Sequence, residues 1–253
     1  MTNYSISVQM SQDTVNALSQ NNFVLYGFKA VRTTAPGAPL VWFQTTAYGL
    51  DTNLSWDQEY QAYTSTSAIV PGGEVRATNS YKTDLGQTLD VTDKSGTGTV
   101  VQDGTAGAIS LLNKTSTQFT CGISERQPNG GVTPTCAFSL FGNNLDVIAP
   151  IQRVLLLFST LPVNTGTVIY KAYSAGLLID LTGTTSRTVS YDVNAGWSWS
   201  GGAWGQQVPP SENLVPLLIE NRLDLSQEPQ GVPAPSTANG SSSKILAAAS
   251  QPG

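Results

Sequence analysis

Two carboxylates separated by one residue, Asp57 and Glu59, stand in the run Ser55-Trp56-Asp57-Gln58-Glu59-Tyr60-Gln61-Ala62-Tyr63. Glycoside hydrolysis uses such a pair, one carboxyl as acid and the other as base or nucleophile. On a strand, however, residues two apart share a face. Asp57 and Glu59 would then face solvent while Trp56 and Tyr60 face inward, the alternation of an ordinary half-buried strand. The chain contains no histidine, which excludes a Ser-His-Asp triad, a Cys-His pair and His-ligated metal. Asp84, Asp90, Asp93 and Asp103 offer oxygen ligands of the type calcium takes, but no Asp-x-Asp-x-Asp-Gly loop organises them. The expectation is a non-catalytic protein with neither metal nor cofactor.

The most distinctive run is Gly196-Trp197-Ser198-Trp199-Ser200-Gly201-Gly202-Ala203-Trp204. Trp197 and Trp199 keep the parity of Val189, Tyr191 and Val193, so they extend one inward row, and the glycines let Trp204 turn back towards them. The cluster plugs the end of a core on one reading. On the other, Trp197, Trp199 and Trp204 form a ligand patch that stacks on a sugar ring or sits at a membrane interface. The two cysteines, Cys121 and Cys136, lie on strand-like runs either side of Pro128-Asn129-Gly130-Gly131, a strong turn signal. Folding about that turn brings them near opposition. They are candidates for a disulfide, worth about 3 kcal/mol for a loop of this size, or for two small buried hydrophobes.

The elements that must hold these residues are short strands divided by Gly, Pro and Asn/Asp clusters. Residues 5–10 alternate as a first strand, and Ser11 caps a short helix over 12–18. Further strands are expected at 23–31, 40–46, 55–63, 74–81, 87–92, 97–102, 108–112 and 117–123. Others follow at 136–141, 153–159, 167–173, 176–181 and 188–193. About a dozen strands in one run predict an all-β fold, an antiparallel β-sandwich. Residues 1–226 form that domain, with 1–94 and 95–226 as an alternative division into two sandwich halves. A weak echo, Gly-x-x-Leu-Asp-Val at 86–91 and 142–147, is the only hint of duplication. Pro216 argues against a helix interior in the run 214–223. Residues 227–253 read as an extended Pro/Ser/Gly-rich tail, in which Pro233, Pro235, Ile245 and Leu246 are candidates to clamp an assembly.

Composition sets the surface. The 253 residues carry 12 Lys+Arg and 17 Asp+Glu, 11% charged, where soluble domains average about 25%. The net charge of −5 argues against nucleic acid, which needs a basic face. No apolar run nears the roughly 20 residues of a transmembrane helix. The N-terminus has neither the basic nor the apolar region of a signal peptide, so a cytoplasmic or non-classically secreted protein is expected. Only six Lys and six Glu occur, and these flexible side chains are the ones depleted at interfaces. Self-association into a homo-oligomer or ordered lattice is therefore the leading expectation. The alternatives are lectin-like glycan binding through the tryptophans and membrane attack by a Ser/Thr-rich hairpin over 96–120.

Overall fold

The computed structural model describes residues 2–223. In chain order the elements are β1 (Asn3–Gln9), α1 (Gln12–Gln20), β2 (Val24–Thr33), β3 (Gly37–Pro39), β4 (Phe43–Thr45), β5 (Asp51–Asp57) and β6 (Tyr60–Ser65). Next come β7 (Asn79–Lys82), β8 (Thr88–Val91), β9 (Gly98–Val101), β10 (Ile109–Asn113), β11 (Phe119–Arg126), β12 (Val132–Pro134) and β13 (Cys136–Leu140). The rest are β14 (Leu145–Ser159), β15 (Gly176–Asp180), β16 (Ser186–Asp192), β17 (Gly196–Trp199), β18 (Gly205–Val208), α2 (Val215–Leu218) and β19 (Ile219–Glu220). The fold is all-β, as the strand pattern predicts.

Three sheets form. Sheet A has the order β17-β16-β1-β5; sheet B has nine strands built around β2, β14 and β15; sheet C has six, with β3-β13-β11-β6-β7 as its path. Most pairs are antiparallel, but β1 with β16, β8 with β10 and β2 with β19 run parallel. Sheets A and C lie side by side over one face of sheet B. Ile6, Leu54, Val189 and Trp197 of sheet A pack against Leu25, Leu156 and Ile179 of sheet B. Further along, Ile123, Cys136 and Phe138 of sheet C pack against Val31, Ile109 and Ile148. Two sandwich halves thus exist in space, spanned by the long strands β2 and β14. They do not follow the division at 94/95, because every sheet takes strands from both sides of it.

Several local expectations are corrected. Residues 55–63 are not one strand: the chain leaves sheet A after Asp57 and enters sheet C at Tyr60. Residues 96–120 form no hairpin, since β8 lies between β9 and β10 and Ile109 and Leu111 are core. Residues 167–173 make only isolated bridges. β14 is longer than expected because Pro150 is accommodated between the stretch paired with β10 and the stretch paired with β15. The β2–β14 register then shifts between Ile151 and Val154, the kind of bulge that tolerates proline. Pro216 sits in the first turn of the one-turn helix α2, where its missing N–H costs nothing. The residues from 224 onward, including Pro233, Pro235, Ile245 and Leu246, lie outside the described residues.

Candidate functional site

Sheet A presents an ordered polar outer face. Alternation along its strands sends Tyr4, Ile6 and Val8 of β1 inward, with Leu54 and Trp56 of β5 and Val189 of β16 beside them. The outward positions are polar and short. Register places Ser198, Ser190, Gln9 and Asp51 in one cross-strand row. Ser7 stands between Thr188 and Asn53, and Ser5 between Ser186 and Ser55, in the next two. Lys, Arg and Glu are absent from the outward positions of these strands. On the β5 side the side chains satisfy one another: Asn3 Nδ2 donates to Asp57 Oδ1 at 3.0 Å and Ser55 Oγ to Asn3 Oδ1 at 3.2 Å.

A groove of about 320 Å³ lies at the other corner, lined by Gln9, Met10, Ser11, Ser190, Tyr191, Asp192, Ala195, Gly196 and Ser198. Its origin is topological. β1 and β16 are parallel, so no tight turn can join them; past their C-terminal ends one chain enters α1 and the other the β16–β17 turn. The two exits are tied below the groove by the buried Thr14. Its Oγ1 donates to Asp192 Oδ2 at 3.1 Å and accepts from Val193 N at 3.3 Å. Asp192 Oδ1 also accepts the backbone N–H groups of Asn194 and Ala195. These backbone bonds hold its carboxyl below the ordinary aspartate value.

The tryptophans divide. Trp197 is 2% exposed, stacks on Phe158 with ring centroids 5.6 Å apart and donates Nε1–H to the Ala175 carbonyl. It belongs to the core and cannot meet a ligand, because its inward parity places it under sheet A. Trp199 and Trp204 are half-buried and meet edge to face at 6.4 Å, with the Arg187 guanidinium 4.6 Å over the Trp204 ring. The glycine turn that returns Trp204 is present, with φ of 95° at Gly201 and 94° at Gly202.

Asp57 and Glu59 form no pair: one is bound by Asn3, and the other is bridged to Arg126 at 2.9 Å. Asp90 is bridged to Lys114 at 2.6 Å. Among the described residues no three His, Cys, Asp or Glu side chains cluster as metal ligands.

Cys121 and Cys136 are both free and buried, which corrects the disulfide expectation. Cys121 stands opposite Phe138, two positions along β13 from Cys136. Such diagonal neighbours lie about 7–8 Å apart, beyond the usual Cα span of a disulfide. Burial pushes the Cys136 thiol up to about 12 and the Cys121 thiol well above its ordinary value, so neither forms a nucleophilic thiolate near neutrality.

Cys121 Sγ donates to the Oδ2 of Asp146 at 3.7 Å. That carboxyl is 2% exposed, and burial raises it above the ordinary aspartate value, an effect the thiol only partly offsets. A raised folded-state pKa means that stability is greatest below the unfolded value of about 3.9 and falls as pH rises through the interval to the folded value. Asp146→Asn is therefore expected to be more stable than wild type at neutral pH. The gain is about 1.4 kcal/mol per unit by which burial raises the carboxyl. Urea unfolding at several pH values checks this; the gap should close as the pH approaches 4.

Among the described residues, no helix is long and apolar enough to cross a membrane. No family model, curated protein or solved structure matches the chain.

Proposed function

We propose that this is a non-catalytic structural protein that assembles with copies of itself, end to end. One observation carries the reading: large apolar side chains are exposed at both ends of β14, the longest strand. Phe141 and Leu145, 55% and 43% exposed, stand at its start. Leu161 and Tyr173, 44% and 41% exposed, flank its end, where β15 begins alongside. Two different apolar ends on one long axis suit a heterologous, head-to-tail contact, which closes into a ring or runs on as a filament. The scarcity of Lys and Glu in the chain removes the residues that most oppose such contacts.

Light scattering coupled to size exclusion tests it. The wild-type chain should elute as an oligomer or larger particle. Phe141→Asp with Leu145→Asp should return it to the 26.7 kDa of one chain, as should Leu161→Asp with Tyr173→Asp. Both changes are at exposed positions, so folding, followed by circular dichroism, should survive. A wild-type protein that stays monomeric at every concentration, or variants that assemble as before, would overturn the reading.

A further inference from the structure

We infer that the groove at the corner of sheet A is a binding site for a neutral polyhydroxylated ligand, a sugar residue at the end of a glycan. The inference does not rest on end-to-end assembly. Its volume, about 320 Å³, falls at the small end of the range of ligand pockets, about 300–1,000 Å³. The chemistry of its lining selects the ligand class. Among the described residues, the side chains of Gln9, Ser190 and Ser198, neighbours on the outer face of sheet A, find no hydrogen-bond partner in the protein although they meet at one groove. An amide and two hydroxyls each donate and accept, which matches the mixed donors and acceptors of a sugar ring. No cation lines the groove, so phosphate or carboxylate would meet no counter-charge. The one anion, Asp192, already accepts two backbone N–H groups and the Thr14 hydroxyl. It is committed to the turn and is poorly placed to recruit a cationic ligand.

The site is also pre-formed. Thr14 and Asp192 lock α1 to the β16–β17 turn, so the backbone is already in place and the ordering cost falls on the side chains, chiefly that of Gln9. Trp199 and Trp204 lie apart from it, since neither lines the groove. The site is therefore different from the tryptophan patch.

Saturation-transfer NMR tests this on monomer or assembly alike. Methyl glycosides of glucose, galactose and mannose, and N-acetylglucosamine, are titrated into the millimolar range. At least one should receive saturation from the wild-type protein. Gln9→Ala should weaken it about 3- to 10-fold, the loss of one or two hydrogen bonds. Ser198→Phe, at an exposed position, should fill the groove and abolish the signal. If no sugar receives saturation, the inference fails. It fails equally if binding is undiminished in Ser198→Phe, and loss in Trp204→Ala alone would assign the sugar to the tryptophans instead.

Discussion

A Glu125→Ala variant is expected to lose about 3–5 kcal/mol of folding free energy, read as a fall in the urea midpoint with the slope unchanged. Glu125 of β11 and Lys29 of β2 form an ion pair at 3.0 Å, with side chains 4% and 2% exposed. The pair sits where all three sheets meet. Lys29 belongs to sheet B and Glu125 to sheet C, and the Lys29 ammonium lies 4.7 Å from the ring centre of Trp56 in sheet A. Removing the carboxylate would leave an ammonium in a dry site with aromatic faces as its remaining support. A domain has only about 5–15 kcal/mol of stability in total, so this single change would take a large share. Replacing both charges, as Lys29→Met with Glu125→Leu, should recover most of the loss, because paired apolar groups need no partner. A single-variant cost under about 1 kcal/mol would mean that water reaches Lys29 and screens it.

Trp42→Ala should be comparably severe, about 3–5 kcal/mol. Trp42 is fully buried and meets Phe43 and Trp56 edge to face, each at 5.1 Å. Its Nε1–H donates to the Arg126 carbonyl at 3.2 Å, and its ring lies 4.8 Å from Lys29 Nζ. Truncation would leave a cavity, an unpaired carbonyl and half of the aromatic enclosure of the ammonium. Trp42→Ala combined with Lys29→Met separates these effects. A double-mutant cycle should return a coupling of about 0.5–2 kcal/mol for the cation against the ring. Strict additivity would reduce Trp42 to a space-filling role.

Much of this arrangement was legible locally and little of it globally. Ser11 before an amphipathic stretch announced α1, and the Ser11 side chain does accept the Thr14 N–H. The alternation of residues 5–10 told which side chains of β1 face inward. Periodicity reports a face and never a neighbour, however, so the parallel partner β16 could not be read. Neither could the groove, whose Gln9 and Ser198 are brought together only by that pairing. The strand break at Gln58–Glu59 was hidden because Trp56 and Tyr60 are both buried, as one strand would require, but in different sheets. The junction left a usable sign: Lys29 is the only charged residue in the run 24–31, and a lysine in so apolar a strand calls for a buried partner.

The pairing of β1 with β16 also sets a timetable. Ile6 lies beside Arg187, so the N-terminal strand leaves the ribosome long before its neighbour is made. At usual elongation rates the delay is roughly 10 to 40 s. Through that interval β1 can join β5, its other partner, but its second edge stays open and Ile6 and Val8 await a complete sheet B. Closure over such separations is slow compared with local contacts. The corner that holds the groove is thus the last part of sheet A to be built, and a nascent chain stopped before residue 186 would carry the polar face without it.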